Sequence, residues 1–540
     1  MVITSIQTDT SIFAEAEATA ILARLRAFLA SQEIECYLVG GYIRDGLLGR
    51  ASHDIDLTVA GDAVSLAREI ADALDAKFVL LDEIHQVARV VLLQNEERWY
   101  LDFATTRGTI EEDLAKRDFT IDAIAMALDQ RQSAVGSRQS GGRGTVEYRI
   151  SNIEYRHRLI DPLGGLSDLE RGLIRATTNS AFIDDPGRLL RAFRLAAELD
   201  FSIDSETEAI IERDRELLNG VSGERVRDEL GRILETARAA DSLRYLDRLG
   251  LLDLILPELA ASKGVQQPKE HYWNVFDHSL EAVAAVERLL ADLTREGDLL
   301  SRVNSRGEGT GTPDSRFQTP DSISLDLAEH FGEEVAGGRT RRGLIKLAAL
   351  LHDVAKPQTR RIDKTGRMRF LGHAQQGADI ADSIMERLRF SSREKRMVTR
   401  MIEHHLRPGH LTNCNEMPTR RAIYRYFRDT ADVGIDTLFL SLADHLGSRG
   451  PILDMKDWQE HVEVTRYMLA RWFEEETTLS PPKLINGHDL INEFGLAPGP
   501  RIGALLEAVR ETQASGEIVT REDALGFVRR KVGKNDAIKR

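Results

Sequence analysis

Two aspartates one residue apart, Asp54 and Asp56, lie in the segment HDIDLTVA, in which polar and apolar residues alternate. The alternation predicts a β-strand, on which residues i and i+2 point to the same face. Neighbouring carboxylates repel each other, so a cation between them explains the pair better than solvated edge-strand charges do. Oxygen ligands suit Mg²⁺, which commonly sits between carboxylates and substrate phosphates. Asp102, in the later strand-like segment WYLDFAT, could bring a third carboxylate to this site.

A glycine pair ahead of the aspartates supplies a second component of the site. Gly40 and Gly41 follow an apolar run and open a short helix-like segment that contains Arg44. Without a Cβ atom, glycine lets backbone N–H groups approach a phosphate, and an arginine one turn later can bind the same phosphates. A glycine pair alone usually marks a tight turn. Together with the aspartates, it predicts a nucleoside-triphosphate site whose metals activate an attacking hydroxyl and stabilise a pyrophosphate leaving group.

A second set of candidate ligands is distributed over residues 278–444. Neighbouring histidine and aspartate side chains on an apolar helix are costly to bury unless something pairs them. Histidine and carboxylate ligands can hold one or two transition metals, and activated water can then attack a phosphoester. The alternative is a scaffold in which hydrogen bonds satisfy some of the histidines. The predicted ligands are His278, His352, Asp353, His373, His404 and Asp444.

The elements that must position these residues are of two kinds. In the first part of the chain, strand-like and helix-like segments alternate, which predicts a head with a small mixed sheet. After about residue 175 nearly every segment has helical periodicity, so the predicted fold class is α+β. With 540 residues, the chain is expected to form several domains. Residues 131–152 and about 296–340, rich in Gly, Ser, Arg and Pro, are predicted to be flexible insertions.

The composition limits the partners and the compartment. With 72 basic and 87 acidic residues, the net charge is −15, so any nucleic-acid contact must come from a local basic face. The two cysteines, Cys36 and Cys414, indicate a reducing compartment without a disulfide framework. No apolar run reaches the roughly 18 residues of a membrane-spanning helix, and no secretory signal is recognisable. We expect a cytoplasmic protein, with no membrane partner and with an oligomeric state that the sequence leaves unknown.

The segment from LVGGYIRDGLLG to DIDLTV resembles the signature of the nucleotidyltransferase superfamily that includes DNA polymerase beta. More closely, it is similar to the branch of class II tRNA nucleotidyltransferases and bacterial poly(A) polymerases. The resemblance covers about residues 37–265 apart from the first insertion. Several motifs in the expected order identify a family much more specifically than any single motif does. Three further motifs of the branch and its neck helix are found at residues 111–126, 161–175, 184–199 and 224–234.

The motif DDPGRLLRAFRLAAEL has a direct chemical interpretation. Asp185, Arg188 and Arg191 can share much of one helix face. Cytosine and adenine present an amine beside an acceptor nitrogen, whereas uracil and guanine present a carbonyl beside a ring N–H. An aspartate acceptor with an arginine donor therefore accepts C and A and rejects U and G. The alternative is a surface helix with ordinary ion pairs; in the family, the matching positions read the incoming base.

The resemblance also implies roles for residues in the second motif. Arg117, with Gly41 and Arg44, would hold the phosphates and sugar of the nucleotide, and Asp118 would belong to the same site. This chain departs from the family pattern at Lys116, usually Arg, at Asp122, usually Asn, and at Asp184, usually Glu. Lys116 keeps the charge, whereas Asp122 adds a negative charge near the nucleotide.

The order of the ligands in the second half resembles the HD superfamily of metal-dependent phosphohydrolases. This resemblance implies a transition metal, Mn, Ni, Fe or Co. Residues 481–531 are similar to the C-terminal helical module of many enzymes of the nucleotidyltransferase branch. The predicted domains are an N-terminal helical extension (1–33), a polymerase-beta-like nucleotidyltransferase head (34–175), an all-α neck that binds base and RNA (176–265), an HD domain (266–455) and a helical tail (456–540).

We therefore expect a template-independent RNA nucleotidyltransferase that adds C, A or both to tRNA 3′ ends from CTP and ATP. Asp54, Asp56 and Asp102 would be its catalytic carboxylates. The alternatives are a poly(A) polymerase, a phosphohydrolase whose main activity lies in the HD domain, and a non-catalytic RNA-binding protein. Little sequence separates Asp102 from Glu111, where family members that add the complete CCA end usually carry a flexible loop. In this respect the chain resembles the members that add only CC, in which this loop is shortened.

Overall fold

The computed structural model divides the chain into two compact units, Met1–Val221 and Ser222–Arg540. No helix within the described residues is both long enough and apolar enough to cross a membrane. The structure describes residues 16–128 (without 31 and 33), 158–293, 321–412, 417–474 and 483–538.

A seven-stranded sheet forms the centre of the first unit. Its strands are β1 (Cys36–Val39), β2 (Asp54–Val59), β3 (Lys77–Asp82), β4 (Val87–Gln94), β5 (Glu97–Thr105), β6 (Ala125–Ala127) and β7 (Leu159–Ile160). The spatial order is β3-β4-β5-β2-β1-β6-β7. β2 and β5 run parallel and the other neighbours are antiparallel. The predicted mixed sheet is confirmed.

Helices cover this sheet and extend the unit. They are α1 (Ala16–Ala30), α2 (Gly41–Leu47), α3 (Ala63–Leu74), α4 (Ile110–Ala115), α5 (Gly165–Arg171), α6 (Ala181–Asp184), α7 (Arg188–Leu199) and α8 (Ser205–Asp214), with the short parallel strands β8 (Leu173–Ile174) and β9 (Ser202–Ile203). In α3, Asp62 accepts hydrogen bonds from the first free N–H groups. Leu66 and Ile70 of α3, one turn apart, are buried in the same core as the strand residue Leu57.

The second unit is mainly helical, as the sequence predicts. Its helices are α9 (Gly223–Glu235), α10 (Ala239–Arg248), α11 (Leu251–Ile255), α12 (Pro257–Ala260), α13 (Val275–Leu293), α14 (Asp321–Gly332), α15 (Arg341–Leu351), α16 (Lys356–Thr359), α17 (His373–Arg387), α18 (Ser392–His404), α19 (Arg407–Thr412), α20 (Arg420–Thr430), α21 (Gly434–Arg449), α22 (Met455–Glu474), α23 (Gly487–Phe494), α24 (Pro500–Ala514) and α25 (Arg521–Ile538). Two hairpins interrupt them, β10 (Glu334–Ala336) with β11 (Arg339–Thr340), and β12 (Arg360–Ile362) with β13 (Met368–Phe370).

Helices α13, α15, α18 and α21 pack against one another in the centre of this unit. α15 is almost completely buried, and the buried Lys346 in its middle donates a hydrogen bond to the carbonyl of Thr236. The last three helices, α23 to α25, enclose a separate core that contains Leu490, Val509 and Val528.

One predicted boundary is wrong, and another differs from the compact units of the structure. The second insertion, predicted for about 296–340, is ordered from residue 321 onward, where α14, β10 and β11 form. Leu327 and Phe331 of α14 are buried one turn apart, so this segment does contribute to the core. The first insertion (131–152) and residues 296–320 lie outside the described residues. Residues 176–221, predicted as part of the neck, group with the head in the first unit.

Candidate active site and candidate metal centre

The three predicted carboxylates come together on two parallel strands. Asp54 and Asp56 lie on β2, with the fully buried Ile55 between them on the opposite face. Asp102 lies on β5 as the direct register partner of Asp56. Because register partners point to the same face of a sheet, Asp56 and Asp102 stand side by side.

The charges of these carboxylates are compensated to different degrees. Asp102 accepts two hydrogen bonds from Arg89, each 2.7 Å long. Burial raises the pKa of Asp56 to about 6, and the neighbouring carboxylates act in the same direction, against Arg117. A cation beside Asp56 would relieve both the repulsion and the burial of an uncompensated charge. The donor set therefore fits Mg²⁺, which Asp54 and Asp56 would hold.

The glycine pair lies directly against this group. Gly40 follows β1 with a φ of +69°, a conformation that side chains other than glycine's rarely adopt. A Cβ atom on Gly40 would be 2.9 Å from Nη1 of Arg117 and 3.1 Å from Oδ2 of Asp56. On Gly41 it would be 3.4 Å from Nη2 of Arg44. The predicted phosphate-binding residues and the metal-binding carboxylate thus meet at one backbone turn.

Arg44 is held more tightly than the sequence suggested. Its Nη1 atom donates to Oδ1 of Asp122 at 2.6 Å, and Nε and Nη2 donate to Asp45, each at 3.0 Å. Arg44 and Asp122 are both buried. The extra negative charge that Asp122 brings is thus paired with Arg44, which answers the question that this departure from the family pattern raised.

The residues predicted to read the base lie near the second motif. Arg191 donates to Oδ2 of Asp118 at 2.9 Å, and Arg188 donates to the carbonyl of Lys116 at 2.9 Å. Burial acts to raise the pKa of Asp118, but the guanidinium groups of Arg191 and Arg188 hold this pKa below its usual value. Asp185 accepts a hydrogen bond from the N–H of Gly187 just before α7.

Asp184 has a separate environment from its neighbour. Its carboxylate accepts a hydrogen bond of 3.0 Å from the hydroxyl of Ser180 at the start of α6. The side chain of Asp184 is exposed, whereas that of Asp185 is half-buried. The two adjacent carboxylates can therefore be compared directly in a substitution experiment.

A second cluster, in the second unit, brings together five of the six predicted metal ligands. Three overlapping sets of side chains have their ligand atoms within 4.8 Å of one another. The Nε2 atom of His278 lies 3.1 Å from Nε2 of His352 and 3.0 Å from Oδ1 of Asp444. The members are His278, His352, Asp353, His373, His405 and Asp444.

The predicted ligand His404 is replaced by its neighbour. His405 is buried, and its ring centroid lies 5.1 Å from that of His352 and 5.4 Å from that of His373. His404, the last residue of α18, is half-buried and is not a member of the cluster within the described residues. Successive residues on a helix point about 100° apart, so only one of the two histidines can face the cluster.

Backbone carbonyls orient three of these imidazoles. The Nδ1 atoms of His352, His373 and His405 lie 2.8, 2.7 and 2.6 Å from the carbonyl oxygens of residues 349, 370 and 402. This arrangement directs each Nε2 atom toward the others, as in histidine metal sites. Nε2 of His405 is buried without a hydrogen-bond partner, and Nε2 of His373 lies 3.4 Å from Oδ1 of Asp353. A metal ion would satisfy these atoms, so the residues fit the predicted metal.

Burial also sets the protonation of two candidate ligands. It lowers the pKa of His405 to about 3, with His352 acting in the same direction. It lowers the pKa of His373 as well, although Asp353 opposes the shift. Both rings are therefore neutral near pH 7, the form in which histidine binds a metal.

Two residues at these sites were missed by sequence reasoning. Arg89 compensates Asp102, and Lys356 places its Nζ atom 2.5 Å from Oδ2 of Asp353 and 2.6 Å from Oε1 of Gln267. The signal for Lys356 was its position one helical turn after Asp353. Arg89 required the register of β4 and β5, in which it faces Asp102.

Family models match most of the chain. They are described as the poly A polymerase head domain (36–175), a probable RNA- and SrmB-binding site of polymerase A (200–263), the HD domain (322–449) and a tRNA nucleotidyltransferase domain 2 (459–528). The Thermotoga maritima CCA-adding enzyme complexed with tRNA has a similar fold, with a TM-score of 0.56 at 21% identity over 96% of each chain.

Two curated relatives cover nearly the whole length. An A-adding tRNA nucleotidyltransferase from Deinococcus radiodurans is 31% identical over 91% of this chain and 94% of its own length. A CC-adding tRNA nucleotidyltransferase from Thermus thermophilus is 29% identical over 92% of this chain and 93% of its own. The resemblance stated from the motifs is confirmed, and the chain belongs to the tRNA nucleotidyltransferase family.

Proposed function

We propose that this chain transfers nucleotides from CTP or ATP to the 3′ end of tRNA without a nucleic-acid template. The observation that carries the proposal is the meeting of Asp56 and Asp102 on parallel strands with Gly40 and Arg117 at the adjoining turn. The terminal 3′-hydroxyl of the tRNA attacks the α-phosphate, and pyrophosphate leaves. The family and the relatives support this assignment, and a cytoplasmic location stays a prediction.

Each group of residues has a separate part in this reaction. Asp54 and Asp56 would hold Mg²⁺, which when bound activates the hydroxyl and stabilises the leaving group. Arg117 binds the triphosphate beside the glycine pair. Arg44 is held in place by Asp122 and Asp45, so its guanidinium group is already positioned beside the turn when the phosphates bind.

The glycine turn provides a sharp test. We expect Gly40→Ala to cut nucleotide addition severely, because its Cβ would displace Arg117 and Asp56. Gly49→Ala is the matched control: its φ is +68°, but nothing lies within 4 Å of the added atom. Both variants should lose about 1–2 kcal/mol of folding stability through backbone strain. Thermal unfolding and nucleotide incorporation are measured on both variants. Equal incorporation rates in Gly40→Ala and Gly49→Ala would contradict the proposal.

Base selection is proposed to depend on Asp185 with Arg188 and Arg191. We expect Asp185→Ala to lower the preference for CTP and ATP over UTP and GTP by about ten- to a hundredfold, since one hydrogen-bonding group is worth about 1–3 kcal/mol in such a pocket. Incorporation rates for the four nucleotides, each supplied separately, measure this preference. Asp184→Ala is the control and should leave it unchanged; an unchanged preference in Asp185→Ala would place base reading elsewhere.

For the extent of addition, we propose that the product ends in CC. Residues 106–109 connect β5 to α4 and are tied down by their neighbours. The N–H of Thr106 donates to the carbonyl of Val59 at 2.9 Å, and Lys116 Nζ donates to the carbonyl of Arg107 at 2.9 Å. Thr109 and Glu112 form a capping box. A short, anchored connection cannot act as the lever with which the pocket would adapt from C to the larger A.

The experiment for this proposal uses two tRNAs, one lacking the whole CCA end and one lacking only the terminal A. Each is offered labelled CTP or ATP alone. Addition of two C residues to the first tRNA and no rapid addition of A to the second are expected. Rapid addition of a single A to the second tRNA would contradict CC specificity, and a long run of A residues would indicate a poly(A) polymerase.

A second function is favoured by the buried cluster. We propose that it binds one or two transition metals, among Mn, Ni, Fe and Co, and hydrolyses phosphoesters. The supporting observation is that buried ligand atoms of Asp353, His373 and His405 converge within 4.8 Å of one another, and that Nε2 of His405 has no hydrogen-bond partner within the described residues. Lys356, which contacts Asp353, can bind a substrate phosphate beside the metal ligands.

A further inference from the structure

A strongly basic hairpin lies beside the metal cluster. It comprises residues 360–371, which we call the basic hairpin, and includes strands β12 and β13. Five basic residues stand against one acidic residue, in a chain whose net charge is −15. Nearly all of these side chains are exposed. They are Arg360, Arg361, Lys364, Arg367 and Arg369, with Asp363 as the acidic residue.

The charges on the basic hairpin are only partly compensated within the protein. Arg361 and Arg369 are direct register partners, and like charges at such positions destabilise a sheet. Asp363 pairs with Arg369 at 2.7 Å, and Glu270 lies 3.6 Å from Arg367. Arg361 forms no ion pair within the residues that the structure describes. An anionic ligand would therefore turn an unfavourable arrangement into a favourable one.

The base of the basic hairpin is part of the metal cluster's own framework. Helix α16, which begins at Lys356, leads directly into β12, and β13 ends three residues before His373. The carbonyl of Phe370 lies 2.7 Å from Nδ1 of His373 and orients that ligand. Lys356 Nζ lies 5.5 Å from the centre of the Phe370 ring. Whatever binds the basic hairpin therefore lies next to the cluster.

We propose that the basic hairpin binds the backbone of an RNA strand whose terminal phosphate enters the metal cluster. This inference rests on the phosphohydrolase function proposed above and names its substrate class. Water adds to the phosphorus of a 3′-phosphomonoester, the P–O bond to the ribose breaks, and inorganic phosphate and an RNA with a 3′-hydroxyl are released. A single nucleotide would need only the cluster and Lys356, whereas arginines along an exposed hairpin match the successive phosphates of a longer chain.

The test compares two substrates on the full-length, metal-loaded protein: a short RNA with a 3′-phosphate and p-nitrophenyl phosphate. We expect Arg361→Gln to lower kcat/KM for the RNA about five- to tenfold at low salt and to reduce its salt slope by about 0.7, the loss of one phosphate contact. Hydrolysis of p-nitrophenyl phosphate should not change. Arg396→Gln, an equal charge change at an exposed position on α18, should leave both substrates unaffected. Equal effects on both substrates, or none on the RNA, would overturn the proposal.

Cross-linking distinguishes a failure of the proposed hydrolase activity from a failure of RNA binding at the basic hairpin. A short RNA with thiouridine at its last nucleotide is irradiated with the full-length protein, and the adducts are mapped by mass spectrometry. An adduct within residues 360–371 that weakens in Arg361→Gln supports the basic hairpin as an RNA site, even if no metal restores hydrolysis. Adducts found only elsewhere in the chain would reject it, whether or not phosphoesters are hydrolysed.

Discussion

Replacing Asp56 by asparagine is expected to lower the rate of nucleotide addition by at least about a thousandfold, about 4 kcal/mol of transition-state free energy. The substitution keeps the size of the side chain but removes a carboxylate that stands beside Asp102 and within reach of Gly40. Without it, the cation that Asp54 and Asp56 share would lose a charged ligand. Asp54→Asn should have a similar effect.

The same substitution should not harm the fold. Because burial raises the pKa of Asp56 to about 6, its charged form is costly in the absence of a cation, and a neutral amide removes that cost. The midpoint of thermal unfolding is therefore expected to stay the same or to rise, and tRNA binding should persist.

Three measurements on each variant check this prediction: incorporation of labelled nucleotide into tRNA, tRNA affinity and thermal unfolding. Asp72→Asn, at an exposed position on α3, is the control for removing one negative charge from the first unit. An Asp56→Asn protein that adds nucleotides at the rate of the unmodified chain would rule out this site. If Asp56→Asn loses both activity and folding, Asp54→Asn separates the two effects, because the side chain of Asp54 is exposed and its substitution should leave the fold intact.

The second large effect is expected from a pair of adjacent histidines. His405→Ala should abolish metal retention and phosphoester hydrolysis, because it removes a buried side chain whose ligand atom lies within 4.8 Å of those of Asp353 and His373. His404→Ala, one residue away and outside the cluster, should retain both. Nucleotide addition should persist in both variants, since the carboxylates of the head belong to a separate compact unit.

The measurement is elemental analysis after loading with Mn, Ni, Fe or Co, together with hydrolysis and nucleotide-addition assays. Equal metal contents in the two variants would contradict the ligand assignment. A metal content of zero in the unmodified protein under every loading condition would leave the cluster a scaffold of hydrogen-bonded histidines.

Much of the polymerase site could be predicted because its chemistry is local in the sequence. Asp54 and Asp56 share a face as a direct result of strand geometry, and only the short helix α2 and a loop separate them from Gly40. The order of the motifs along the chain was enough to identify the family and the mixed sheet. Segment composition was less reliable: the polar stretch before Arg339 includes α14, in which Leu327 and Phe331 are buried one turn apart.

The arginine-rich helix α20 illustrates a choice between two interpretations of one pattern. Its four arginines stand among aromatic residues, a pattern typical either of an RNA-binding face or of an amphipathic core helix with solvated arginines. In the structure, Arg421, Arg425 and Arg428 all donate to Glu511 of α24, at 2.9, 2.7 and 2.9 Å. These contacts favour the amphipathic helix over the RNA-binding face, but its guanidinium groups are bound to a carboxylate rather than to solvent alone.

By itself, the sequence determined which residue types lie one strand step or one helical turn apart, and therefore the carboxylate pair, the glycine turn and the order of the motifs. Only the tertiary structure decided which distant groups neutralise each other: Arg89 with Asp102, and Arg44 with Asp122. It also decided that His405, not His404, joins the cluster. The physical reason is that these outcomes depend on strand register and on helix rotation against remote elements, and a shift of one residue in either changes the face to which a side chain points.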